Sequence, residues 1–188
     1  MLALEYLDSL KGKQHIGLFY QDREFARLIE FRFIKNGLVN GEQCVYVSSE
    51  DSGGIILSML QYGIPIKYFN NKTIKVIQIH NKGGKAGRIL EKSKSEAQRI
   101  ASELSSPFRI VSSIIPNINT FNGISTELTM EHDMHENFED FGGSLVCSYD
   151  VSTIEHTQRS KWIKQLISEH HTTIFTPKFG ESNVISLK

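Results

Sequence analysis

The chain carries no surplus of either charge: 21 Lys and Arg stand against 21 Asp and Glu among its 188 residues. A protein that grips a phosphate backbone needs a basic excess, so the balance argues against a nucleic-acid partner. A disordered chain would show few aromatics and a large imbalance, and here 10% of residues are aromatic. No stretch approaches the roughly 18 uninterrupted apolar residues of a membrane span, so no membrane contact is expected. The opening segment MLALEYLDSLKGK places Glu5 and Asp8 inside its apolar part, unlike a signal peptide. Only two cysteines occur, Cys44 and Cys147, both in apolar strand-like runs. That suits buried thiols in a reducing cytoplasm better than a disulfide framework.

What is present is apolar patterning that switches between two periods. Short β-rich runs fall at His15–Tyr20, Gln43–Ser48, Thr73–Ile79, Phe108–Ile114, Ser144–Tyr149 and Thr172–Thr176, with a weak last run at Asn183–Leu187. Helix-period segments lie between them. In Asp22–Asn36, Phe25, Ala26, Leu28, Ile29 and Phe33 share an arc, with Asp22 as expected cap and Gly37 as the residue that ends the helix. Phe31 and Ile34 lie off that arc and would meet a second layer or another subunit. Further helices are predicted over Arg88–Leu104, Ile124–Phe141 and Ile154–His170. Strand–helix alternation with short connections predicts an α/β fold: a mostly parallel central sheet flanked by helices in a three-layer sandwich. One domain is expected over residues 1–188, its core about 13–187, with the first dozen residues loosely attached.

Ligands of such sheets sit at the C-terminal ends of strands where strand order reverses. A phosphate cradle there needs converging backbone N–H groups, a lysine, and a Ser or Thr for the metal. The first strand–helix joint instead supplies Gln21, Asp22, Arg23 and Glu24, and no G-x-x-x-x-G-K-[ST] occurs in the chain. Its carboxylates occupy the helix N-terminus that a phosphate would use. The strand FRIVSSI ends in Ser112 and Ser113, so the acidic residue that holds Mg²⁺ in nucleoside triphosphatases is missing too. One rival anion site is the loop NKGGKAGR, with Lys82, Gly83, Gly84, Lys85 and Arg88. Its alternative reading is a solvated loop.

Four pieces stand in order: HIGLFY before an acidic helix start; GLVNGEQCVYVSSED from Gly37 to Asp51; a helix with Glu131, then CSYD at Cys147–Asp150; and His170-His171 before TTIFT. Together they resemble the MEDS family, a sensory domain that looks like a degenerate relative of KaiC and RecA ATPases. The resemblance covers roughly His15 to Asn183. It implies a RecA/KaiC-like core used for sensing rather than hydrolysis, without cofactor, often as input to a histidine kinase or response regulator. Carried over by position, the family-like residues are His15, Phe19, Tyr20, Gly41, Glu42, Glu131, Cys147, Tyr149, Asp150 and His171. The family often has His-Pro where this chain has His171-Thr172.

Several polar residues carry two readings each. Glu50 follows an apolar strand, as a pocket wall or a helix cap. On the predicted helix Ile124–Phe141, Ile124, Leu128, Glu131, His135 and Phe138 share a face, with Glu127 at its edge. Glu131 and His135 are spaced to hydrogen-bond each other, and a buried carboxylate needs a partner or a wet cavity. Metal ligation by Glu127, Glu131 and His135 is the sharper alternative, but zinc would take more histidine or cysteine from another element; no metal is assigned. Cys147 reads as an inert buried thiol. Tyr149 and Asp150 would orient a ligand or tie down the next loop. The resulting expectation is a non-catalytic sensory domain for a small molecule or signalling partner. Its wall is Phe19, Tyr20, Asp22, Glu50, Tyr149 and Asp150, supported by His15, Glu131, His135, Cys147 and His171. The alternatives are a nucleotide-binding enzyme using NKGGKAGR and a homo-oligomeric interaction module.

Overall fold

The computed structural model describes residues 2–79, 95–96, 99–113, 120–154 and 156–187. The loop NKGGKAGR, and with it the candidate anion site, lies outside the described residues, as does most of the helix expected over Arg88–Leu104.

Each β-rich run forms a strand: β1 His15–Tyr20, β2 Gln43–Ser48, β3 Ile74–Gln78, β4 Phe108–Ser112, β5 Ser144–Asp150, β6 Thr172–Thr176 and β7 Asn183–Ser186. They pair into one seven-stranded sheet in the order β3-β2-β4-β5-β1-β6-β7. All pairs are parallel except β6 with β7. From β1 the chain winds to one side and later returns to the other, so the switch in winding falls around β1. That is where open α/β sheets bind ligands. The helices are α1 Ala3–Asp8, α2 Arg23–Val39, α3 Ser52–Gln61, α4 Lys67–Asn70, α5 Phe121–Glu136 and α6 Arg159–Ser168, with a 3₁₀ turn at Phe138–Asp140.

The two-residue period of the strands divides the apolar side chains between two cores. On one face Ile16, Leu18, Tyr46, Val111 and Ile174 pack against Phe25, Ile29 and Phe33 of α2 and Ile55 and Met59 of α3. On the other face Phe19, Val45, Ile110, Cys147 and Tyr149 pack against Ile124 of α5 and Trp162 and Leu166 of α6. Phe31 and Ile34 are both buried in the first core, with Phe31 set against Tyr46 and Tyr62. They meet a second layer of the same molecule.

Four expectations need correction. The opening residues are not loose. They form α1, with Ala3 and Leu7 buried, the Ala3 amide donating to Ser182 Oγ at 2.9 Å, and Asp8 accepting two bonds from Arg32 at 2.6 Å each. Gly37 does not end α2, which runs on to Val39, with Gly41 at φ +81° beyond it. Gly37 leaves room for a side chain: a Cβ there would lie 2.6 Å from Arg109 Cδ. Arg109, 4% exposed, crosses that gap to pair with Glu42 at 2.9 Å and to donate to the Phe33 carbonyl at 3.0 Å. The helix predicted from Ile154 starts only at Arg159. Asp150 holds the preceding residues as turns by accepting from the Ser152 amide at 2.9 Å, and Arg159 donates to the Ile154 carbonyl at 3.0 Å. The helix predicted over Ile124–Phe141 begins three residues early on a Thr120 cap and breaks after Glu136.

Gly37→Ala sets two effects against each other. Helix propensity favours alanine by about 1 kcal/mol, while forcing a methyl into a filled gap costs about 1–3 kcal/mol and dislodges a buried ion pair. Urea unfolding is expected to show net destabilisation; a more stable variant contradicts this reading of Arg109.

Arg32 hydrogen-bonds Asp8 and holds its carboxyl down to about 2. The pair is largely exposed, so its worth is below about 1 kcal/mol after solvent screening. A depressed acid pKa stabilises above its unfolded value and is lost as pH falls through the folded one. Asp8→Asn should therefore lower stability slightly at pH 7, and the difference should close between about pH 4 and pH 2. A difference that persists at pH 2 contradicts it.

Candidate functional site

Strand β5 alternates between two polar centres, one on each face of the sheet. Ser148 points toward α2, where Glu30 is fully buried. Cys147 and Tyr149 point the other way, toward Glu131 of α5.

Glu30 is satisfied by three neighbours. Oε1 accepts from Ser148 Oγ at 2.7 Å and from Arg23 Nη1 at 2.8 Å, and Oε2 accepts from the Tyr46 hydroxyl at 2.6 Å. The same guanidinium donates to Tyr46 Oη at 3.0 Å and to Glu50 at 3.2 Å. It also lies 5.4 Å from the centre of the Tyr20 ring. Arg27 holds the other oxygen of Glu50. Burial works against the Glu50 charge, yet Arg27 and Arg23 hold its carboxyl below the usual range. Burial lifts the Tyr20 phenol to about 12, helped by the carboxylates of Glu30, Asp150 and Glu50 and opposed by Arg23. Asp22 caps α2 by accepting from the Phe25 amide at 2.8 Å. The cap of α3 is Asp51, which accepts from the Gly54 amide at 2.7 Å, so Glu50 is not the cap.

Of the residues expected to form a wall, Tyr20 and Glu50 meet Arg23 at this C-terminal edge; Asp150 lies beside Tyr20 in the pairing of β1 with β5, and Asp22 is taken up by the α2 cap. Asp150 also accepts from Ser152, which ties down the loop that follows it. Phe19 and Tyr149 lie elsewhere: they stack at 5.0 Å in the second core and are at most 1% exposed. An open groove of about 360 Å³ lies at the opposite, N-terminal end of the strands, lined in part by Tyr6, Gln14, His171 and Leu187. It touches none of the wall residues, and its polar lining includes Ser9, Lys11 and Thr172.

The second centre gathers His15 of β1, Glu131 of α5, Cys147 of β5 and His170 of the turn before β6. The pairing of β1 with β5 sets Gly17 beside Cys147 and Phe19 beside Tyr149. His15 is therefore on the same face as all of them. Glu131 accepts a hydrogen bond from the Tyr149 hydroxyl at Oε1. Its Oε2 lies 3.0 Å from His15 Nε2 and 3.5 Å from His170 Nε2. Cys147 Sγ lies 3.7 Å from His15 Nε2. The His170 ring fits because position 17 is glycine: a Cβ there would stand 3.1 Å from His170 Cγ. Burial, with His15 nearby, pushes His170 down to about 4, so its ring is neutral at pH 7. Burial raises the Cys147 thiol well above its usual value, and Glu131 adds to the rise. Burial also raises Glu127, one helical turn from Glu131, whose charge adds to the effect. Burial opposes the Glu131 charge, but hydrogen bonding from the His15 ring and the Tyr149 hydroxyl outweighs it and holds this carboxyl low.

His135 does not bond Glu131, contrary to the spacing expectation; its Nδ1 lies 3.2 Å from the Glu169 carbonyl. His171 sits outside the centre and accepts from the His15 amide at 3.3 Å. The sequence pointed to His171 and missed His170. The family pattern carried over His171, whereas it is His170, closing a turn on Ile167 before β6, whose ring enters the centre. Arg23 and Glu30 were also missed. The seven-residue spacing from Arg23 to Glu30, two turns of one helix, was the available signal.

The family model described as "MEDS: MEthanogen/methylotroph, DcmR Sensory domain" matches residues 14–168. Among solved structures, a KaiC-like protein from the hyperthermophilic archaeon Pyrococcus horikoshii OT3 superposes with a TM-score of 0.60. The superposition covers 93% of this chain and 78% of that one at 14% identity, so the likeness is one of fold. The sheet and its two helical layers are thus of the KaiC-like, RecA type. No curated protein matches the chain by sequence. Among the described residues no helix is long and apolar enough to cross a membrane.

Removing Arg23 leaves the Glu30 charge buried with only neutral donors. Breaking such a pair from one side costs about 3–5 kcal/mol. Because the Arg23 side chain is 28% exposed, water can take over part of its role, and Arg23→Met is expected to cost about 2–3 kcal/mol in urea unfolding. A change under about 0.5 kcal/mol, the scatter of ordinary surface substitutions, contradicts the assigned role.

Proposed function

This chain belongs to the MEDS family of sensory domains, and from that premise we propose that it works as a receiver that does not hydrolyse nucleotide. Its input is a small molecule or a signalling partner, bound at the C-terminal edge of the sheet around Tyr20, Arg23, Glu50 and Asp150. A histidine kinase or response regulator is the class of partner that takes up its output.

The observation that carries this reading is the corner between β1 and α2. A nucleoside triphosphate in this kind of sheet is held by free amides at a helix N-terminus and by an uncommitted cation. Here Asp22 already takes the Phe25 amide. Arg23 already serves Glu30, Tyr46 and Glu50. A phosphate would have to displace a carboxylate and compete for a guanidinium bound to two others. The corner is better suited to a ligand that offers a hydroxyl, an amide or a cation to Glu50 and Asp150.

Calorimetric titration with Mg-ATP, followed by a phosphate-release assay, tests this. No saturable heat and no release are expected. Submillimolar binding with turnover contradicts the reading.

A further inference from the structure

We propose that His15, Glu131, Cys147 and His170 form a buried binding site for one divalent transition-metal ion, with zinc the cation that best suits this donor set. The inference is independent of what binds at the sheet edge.

The first support is geometry. Zinc takes nitrogen, sulfur and carboxylate oxygen, and donors at about 2.0–2.3 Å from a tetrahedral ion lie about 3.3–3.8 Å from one another. The closest contacts among these donors are 3.0, 3.5 and 3.7 Å, and all four donor atoms fall within 4.8 Å of one another. Shifts of about 1 Å in the widest pair complete a tetrahedron.

The second support is unmet polar capacity. His170 Nδ1 lies 2.6 Å from the Leu166 carbonyl, which can only accept, so Nδ1 carries the proton. The lone pair of Nε2 then points into the centre, and this atom, in a residue 1% exposed, has no hydrogen-bond partner among the described residues. A lone pair faces a carboxylate oxygen at 3.5 Å, a repulsive contact that a cation between them makes attractive. Metal-bound histidines characteristically donate their other N–H to a carbonyl, and ligating carboxylates are themselves hydrogen-bonded. Leu166 and Tyr149 occupy those two supporting positions.

The third support is charge. Metal coordination deprotonates a thiol outright, releasing the Cys147 proton to solvent. One thiolate, one carboxylate and two neutral imidazoles around a divalent ion sum to zero, which suits a site whose four residues are at most 7% exposed. With every ligand buried, the ion enters as the chain folds.

The test is refolding of the full chain with zinc or cobalt(II), exhaustive dialysis, and elemental analysis. One ion per chain is expected, with a thiolate-to-cobalt charge-transfer absorption in the near ultraviolet. Cys147→Ser should abolish that absorption, and His170→Gln should weaken zinc at least about 100-fold. His132→Gln, at an exposed histidine of α5, should change neither. A chain that holds no stoichiometric metal, or a cobalt complex without the thiolate absorption, overturns the proposal. So does unchanged affinity in both ligand variants. If a ligand variant does not fold, the cobalt spectrum of the unaltered chain decides alone.

Discussion

Two carboxylates sit without water on either side of the same strand pairing, and the structure is arranged to make those burials tolerable. Removing an ionised group from water costs several kcal/mol unless it is paired and hydrogen-bonded. Strand β5 serves both through its alternation. Ser148 reaches Glu30 on one face, while Cys147 and Tyr149 reach the surroundings of Glu131 on the other. The two faces solve the problem differently. Glu30 is fully answered by a guanidinium and two hydroxyls. Glu131 is answered at one oxygen and faces two imidazoles and a thiol with the other. The first centre ties α2 to β2 and β5; the second has the chemistry to hold a cation.

The sheet was legible because its strands are short, apolar and separated by helix-period segments. Every strand run appears in the structure within about two residues of its expected bounds. The cap at the start of α2 was legible as well, since Asp22 stands directly before the helix and accepts from the Phe25 amide. Helix ends were less legible. Gly37 looked like a stop because glycine commonly is one; its actual use, clearance for Arg109, depends on a residue 72 positions away. The opening residues looked loose because nothing local shows that Asp8 meets Arg32.

The candidate site was legible in its members and not in its assembly. A carboxylate on an apolar helix face marks Glu131 as needing a partner, and the family pattern brings in His15 and Cys147. Helix spacing names only neighbours on the same helix, so His135 looked like the partner, whereas the true partners come from β1, β5 and the turn before β6. Glu30 was hidden inside an apolar arc. Tyr149 and Asp150, adjacent in sequence, were assigned one role; alternation sends the phenol inward to Glu131 and leaves the carboxylate at the edge.

The interior centre is the part of this account on which a single experiment bears most directly. X-ray absorption at the metal edge of the zinc-loaded chain reads the ligand shell without reference to stability or affinity. The account predicts one sulfur at about 2.3 Å and three nitrogen or oxygen atoms at about 2.0–2.2 Å. A shell of light atoms alone, or an octahedral set of oxygens, would contradict it.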